Sequence, residues 1–307
     1  MVHNSATNGN DKVTETSFSP PRQLAKILID KARSLQVLPD VAIKAIAIAE
    51  DPDSRVKSLV NVVAQDVKLT TDIVSLSNSS MFGVGQPIAG LQQAITRVGF
   101  RQTKNMILAS SIASMMQKMD WHEIRVRDLL CHHSFLTAVL NSRLNSLFKL
   151  ELQGDEFTAG LVHDIGRTLL AISIPTDFDS FDKMNFNESH DINRAELEVI
   201  GTSHSEVGAW FMERNHLPES LITVARFHHN PQDATQFKRL VAVTAIADDM
   251  ANFLQRQSSD AEFDCTANDH LSILEDLGVK NATELLRPAT AEILMSACME
   301  VKQLLRI

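Results

Sequence analysis

The sequence predicts an all-α protein. From Arg22 onward nearly every segment repeats its apolar residues at helical spacing, while alternating strand-like runs bounded by turn residues are scarce. Hydrophobic residues make up 44% and charged residues 22% of the 307, a balance that supports a substantial core and argues against disorder over most of the length.

Residues 1 to 19 are rich in Asn, Thr, Ser and Asp without a helical or strand period, and Pro20-Pro21 closes them, so residues 1–21 are expected to form a disordered tail. After Leu38-Pro39 a helix is expected over Val41 to Glu50. It should stop before Asp51-Pro52, because the proline ring pushes the preceding residue out of the α region. The next helix begins near Ser54, where Val56, Leu59, Val60 and Val63 fall at i, i+3, i+4 and i+7 and turn one stripe to a core. A third, Leu69 to Leu76, runs into small polar residues and glycine at Asn78-Ser79-Ser80-Met81-Phe82-Gly83, which turn the chain. Helices continue over Ile88 to Ile95 and Lys104 to Met116.

Near Trp121 the chain changes character: only His3 precedes it, and the other ten histidines follow. The expected organisation is a helical front lobe over residues 22–120, a histidine-bearing lobe over 121–250 and peripheral helices over 251–307.

A net charge of −9 and a pI near 5.6 work against binding nucleic acid or anionic membranes, which depends on clustered Lys and Arg. The densest basic group, Arg97, Arg101 and Lys104, reads as a solvated helix face. Cys131, Cys265 and Cys298 are odd in number and widely spaced, which fits neither a disulfide framework nor a CxxC motif and points to a reducing cytoplasm. Met1 to Ser19 lacks the apolar region of a secretory signal, and no later run approaches the roughly 18 apolar residues of a membrane span.

The chemistry-bearing residues lie in the rear lobe. Gly160-Leu161-Val162-His163-Asp164-Ile165-Gly166 places an adjacent His-Asp pair at the end of an apolar helix, with glycine positioned to terminate it. Adjacent helical residues diverge by about 100°, so His163 could reach one metal ion while the Asp164 carboxylate bridges to another. Four more ionisable positions fall on inward stripes. His133 shares a face with Leu136, Thr137 and Leu140. His204 shares one with Val207, Gly208 and Phe211, behind a Ser203/Glu206 capping box. Leu221, Val224 and Ala225 lead to His228 and His229, and Asp248 follows Val241, Thr244 and Ala245. Each histidine taken alone reads as a hydrogen-bonded core imidazole. Together, several imidazoles and two carboxylates aimed inward from separate helices point to a metal site, of a kind that suits Fe, Mn, Zn or Ni better than Ca.

The order and context of His133, His163-Asp164 and Asp248 resemble the H…HD…D signature of the HD-domain phosphohydrolases. His204 and His228-His229 resemble the extra ligands of the HD-GYP branch, whose members hydrolyse cyclic di-GMP at two or three metal ions. The front lobe is similar to the HDOD pattern in Leu38-Pro39, Asp51-Pro52, Asp66 with Leu69-Thr70, Asn78-Ser79 with Phe82-Gly83, Ile88 through Leu91 to Ala94-Ile95, and Val98-Gly99. The resemblance spans about residues 22 to 250 and implies a multi-helix HD-domain-like bundle with a helical N-terminal lobe. HD-GYP enzymes follow their paired histidines with Gly-Tyr-Pro, whereas this chain has no tyrosine, so cyclic di-GMP hydrolysis of that kind is not implied.

Two functions follow from the resemblance. The first is a bacterial signalling module acting by contact with a protein partner, its HD lobe a scaffold that holds metal. The second is a metal-dependent phosphohydrolase acting on a nucleotide or other phosphoester. In the second, one to three divalent ions are held by His133, His163, Asp164, His204, His228, His229 and Asp248, Asp164 bridges them, and Arg167 steadies the phosphate. A sensor that binds a nucleotide in the same pocket without turnover is a third reading.

Overall fold

The computed structural model describes residues 20–33, 38–51, 53–78, 86–152, 154–186, 192–256 and 262–305. Of the expected tail over 1–21, residues 1–19 lie outside the described residues, as do Pro52 and the 79–83 part of the expected turn. The front lobe comprises α1 (Arg22–Arg33), α2 (Asp40–Glu50), α3 (Val56–Val63), α4 (Val67–Asn78) and α5 (Leu91–Lys118). Next come α6 (Ile124–Phe148), α7 (Asp155–Val162), α8 (Ile165–Ser173), α9 (Pro175–Phe181), α10 (Ile192–Ile200), α11 (His204–Arg214), α12 (Glu219–Phe227) and α13 (Lys238–Gln255). The chain ends with α14 (His270–Asp276) and α15 (Ala282–Leu304). Among the described residues there is no strand, and no helix is long and apolar enough to cross a membrane.

The front lobe is organised around α5, against which α2, α3 and α4 pack. The α3 stripe behaves as its spacing predicts, with Leu59 and Val63 fully buried, each such burial contributing roughly 1.5–3 kcal/mol. The two helices expected at 88–95 and 104–116 are one element broken at Gly99, whose φ of 81° departs from the helix. Thr103 donates its hydroxyl to the Gly99 carbonyl at 2.7 Å, just past the break. Past this kink α5 is buried nearly all round and also packs on α6 and α7, so the two lobes share a continuous core.

The rear lobe is built around α6, which packs on α7, α13 and α15. Asn141 ties three of these together, donating to the Glu156 carbonyl at 3.0 Å and to the Thr244 hydroxyl at 2.9 Å. Helix α7 crosses α6 at Gly160, where a Cβ would stand 2.6 Å from the Ala138 Cα. That close approach brings the end of α7, and with it His163-Asp164, alongside His133. The boundary expected after residue 250 falls inside α13. The segment beyond it is also less peripheral than its sequence implies, since α15 lies along α6 and α14 packs on α13.

Candidate metal centre

The His163-Asp164 pair occupies the turn between α7 and α8 rather than the last turn of a helix. Gly166 does not terminate α7 as its position suggested; it is the second residue of α8. A Cβ there would fall 1.8 Å from the His204 carbonyl oxygen. Its small size therefore lets α8 and α11 approach until Asp164 and His204 share one site. The capping box before α11 is half made: Ser203 accepts from the Glu206 N–H at 3.3 Å, but the Glu206 carboxylate goes to Arg226.

All seven residues expected to hold metal converge, from α6, the α7–α8 turn, α11, the end of α12 and α13. His133 Nε2 lies 2.9 Å and His163 Nε2 3.5 Å from Asp248 Oδ1, with 3.3 Å between the two ring nitrogens. His204 and His228 each place Nε2 3.4 Å from Asp164 Oδ1, and His229 Nε2 is 2.9 Å from that of His204. Asp164 stands between the groups. Its Oδ2 is 3.6 Å from His133 and 3.7 Å from His163, while Oδ1 faces His204 and His228. Ligands bonded to one transition ion at about 2.1 Å stand about 3.0–3.4 Å apart, the spacing of most of these atoms.

Hydrogen bonding fixes which ring nitrogen faces inward. The Nδ1 atoms of His133, His163, His204 and His228 meet acceptors: Gln255 Oε1 at 2.7 Å, the Gly160 carbonyl at 2.8 Å, Glu196 at 2.9 Å and the Ala225 carbonyl at 2.9 Å. Each Nδ1 therefore carries the proton and each Nε2 turns a lone pair into the site. Lone pairs facing one another across 3.3–3.4 Å repel unless a proton or metal ion lies among them. Asp164 Oδ1 is buried with no well-formed hydrogen bond, its nearest partners being the Nε2 atoms of His204 and His228 at 3.4 Å. The residues fall into two groups that could each hold an ion, His133, His163 and Asp248 on one side and Asp164, His204, His228 and His229 on the other, with Asp164 Oδ2 also 3.6 Å from His133.

Without metal, protons compensate the carboxylates. Burial opposes charge on His204, but Glu196 and Asp164 outweigh it and push the imidazole up to about 9. His163 is likewise raised, burial being overcome by Asp164 and Asp248. Burial would raise both aspartates, yet His163 and Arg167 hold Asp164, and His133 and His163 hold Asp248, well below the usual carboxylate range. His228 and His229 are lowered, first by burial and then by neighbouring imidazoles.

Arg167, expected to steady the phosphate, is engaged by two carboxylates. Its guanidinium is fully buried and donates Nε and Nη2 to Asp182 Oδ2 at 3.0 and 2.8 Å and Nη1 to Asp164 Oδ2 at 3.0 Å. It braces the Asp164 carboxylate and is not among the residues that line the neighbouring cavity. A cavity of about 360 Å³ opens on the other side, floored by His228, His229 and Asp248 and walled by α13 and residues 262–270.

A family model for the HDOD domain matches residues 35–231. This chain belongs to the HDOD-domain family. A Treponema pallidum protein with no described function is 25% identical over 238 residues, which is 77% of this HDOD chain and 46% of that protein; the chain spans about half the length of the curated relative it matches. Among solved structures, an HDOD-domain protein of unknown function from Geobacter sulfurreducens aligns with a TM-score of 0.70 at 20% identity, covering 89% of this chain and 96% of that one. A candidate phosphohydrolase from Shewanella amazonensis SB2B gives 0.66 at 20% identity over 91% and 98%. A second Shewanella protein, a candidate metal-dependent phosphohydrolase, gives 0.62 at 19% over 92% and 96%. At these identities the likeness is one of fold.

Several residues of the HDOD site escaped the sequence reading. Glu196 is fully buried against His204, yet in the string Arg194-Ala195-Glu196-Leu197 it looks like any solvent-facing acid. Gln255, which orients His133, and Asn252, which donates to Asp248 Oδ1 at 3.0 Å, lie on or beyond the expected lobe boundary. Their signal was the spacing Asp248, Asn252, with Gln255 three residues further along the same helix.

Proposed function

We propose that this HDOD chain is a signalling module whose rear lobe carries a two-ion centre acting on a phosphoester. The observation that carries the reading is Asp164, which offers one oxygen to each of two imidazole groups in a site bordering a cavity. Divalent ions bound there would acidify water and neutralise phosphoryl oxygens. The protein's own contribution is orientation: the Nδ1 acceptors fix each ring, Arg167 holds Asp164, and Asn252 holds Asp248. Imidazole with carboxylate suits Fe, Mn, Zn or Ni.

A second reading, a module that signals by contact with a protein partner and uses its ions as a structural clamp, is favoured by the depth of the ligands. His133, His163 and His204 are fully buried. Protein purified without added metal, analysed for elements and then assayed on p-nitrophenyl phosphate and bis(p-nitrophenyl) phosphate, separates the two. About two equivalents of metal with turnover abolished by Asp164→Ala supports the first. Metal without turnover supports the clamp, and absence of metal removes both.

A further inference from the structure

The cavity beside the two imidazole groups has walls that the HD and HDOD motifs do not describe. Ala245, Asp248 and Asn252 line the cavity from one face of α13, and Arg256, the residue just past the end of that helix, lines it too. The opposite wall is the 262–270 segment. It is fastened to α13 by Asn268, which donates to Asp249 at 2.7 Å, and by His270, whose Nε2 lies 3.6 Å from the same carboxylate.

Among the described residues lining this cavity, Arg256 is the sole Lys or Arg. Its Nε donates to the Phe186 carbonyl at 2.6 Å, and it makes no other hydrogen bond among the described residues. The Phe186 ring in turn stacks on the His133 imidazole at 5.4 Å. The guanidinium is therefore fixed relative to a candidate metal ligand, and its Nη groups donate to no described residue. Asn252 is 3% exposed, gives its N–H to Asp248, and leaves Oδ1 without a partner. Phe253 and Phe263, both half-buried, meet edge to face at 5.6 Å and supply an apolar wall. The remaining rim is acidic, with Glu262, Asp264 and Asp269 exposed to solvent beside Asp249.

We propose that this cavity binds a singly phosphorylated small molecule with an aromatic or apolar body, and that Arg256 is its anion anchor. The inference rests on the two-ion reading. Two divalent ions would bring +4 against −2 from Asp164 and Asp248, an excess of about +2 that matches one phosphate monoester of about −1.5 to −2, and Arg256 adds the one cation at the cavity wall. The acidic rim repels longer phosphate chains, as like charges across a narrow mouth must. The volume, about 360 Å³, suits a small ligand. The Phe253-Phe263 wall takes the body, and the Asn252 oxygen accepts a hydrogen bond from it or from bound water.

Phenylphosphonate, whose P–C bond resists hydrolysis, is the probe. In calorimetric titrations of the metal-loaded full chain it is expected to bind about tenfold tighter than inorganic phosphate, and also tighter than ATP. Arg256→Gln should weaken it about tenfold or more with metal content unchanged, Arg256→Lys should fall between, and Phe263→Ala should bring phenylphosphonate down to the affinity of inorganic phosphate. Equal affinity in Arg256→Gln with metal retained, or ATP binding tighter than phenylphosphonate, overturns this inference and leaves the two-ion reading standing. Wild-type protein that holds no metal overturns both.

Discussion

Glu196 holds His204 by two hydrogen bonds, accepting from the backbone N–H at 2.8 Å and from Nδ1 at 2.9 Å, with both residues fully buried. The carboxylate fixes the ring's tautomer and raises the basicity of the Nε2 that faces Asp164. Glu196→Gln preserves the shape and the backbone contact but removes the charge. The expected result is about a 10- to 100-fold loss of affinity for the ion on His204, His228 and His229, the other ion being little affected. Competition against a chelator measures it; two ions retained at wild-type affinity would reduce Glu196 to a helix-end contact.

Gly166 makes a sharper demand on space. Alanine there would drive its Cβ into the His204 carbonyl, backbone against backbone, so no side-chain rotation can relieve it. Gly166→Ala should destabilise the fold on the order of 2–3 kcal/mol and separate Asp164 from His204, read as a fall in urea midpoint together with loss of one metal equivalent. Unchanged stability would mean that α8 and α11 are not in the contact described.

Much of this site was legible because each ligand is a polar residue placed where helical spacing calls for an apolar one. His133 among Leu136, Thr137 and Leu140, and Asp248 after Val241, Thr244 and Ala245, are conspicuous for that reason. Glu196, Arg256 and Asp182 were not, because spacing reports which face of a helix a residue occupies and says nothing of which distant helix meets it. Gly99 and Gly166 show a related limit. Two separate helices were expected on either side of the first and a helix end at the second, whereas Gly99 kinks a helix that continues and Gly166 admits a neighbouring backbone. The lobe boundary failed at α13 because its apolar run carries on through Met250, Ala251 and Phe253 without a breaking residue.

Arg167 supplies a prediction that separates a buried brace from a ligand-binding residue. It makes three charge-assisted hydrogen bonds to Asp182 and Asp164 in a site closed to water. Arg167→Met would strand two buried carboxylates and should destabilise the protein by about 3–5 kcal/mol, measured by denaturant unfolding. Wild-type stability combined with a loss of phosphoester binding alone would restore the phosphate-contacting role.

The metal-free site should also make stability depend on pH in a direction that metal reverses. His204 sits at about 9 in the folded protein, above its ordinary value near 6.5, so its contribution is fully present below about 6.5 and is lost as pH rises through 9. His163 is raised in the same sense. The depressed Asp164 and Asp248 act oppositely: their contribution is present above about 4 and is lost only as acid protonates them. Chelator-stripped protein should therefore have a melting temperature that falls between pH 7 and pH 9.5. Metal-loaded protein should hold steady or rise, because ions compete with protons for the same Nε2 lone pairs and gain as pH increases. Loading at pH 7 should accordingly release at least about one proton, detectable as a dependence of the calorimetric heat on buffer ionisation enthalpy. A stripped protein whose melting temperature is flat or rises over that range would show that the imidazoles are not protonated against the carboxylates, and the electrostatic account of the site would fail.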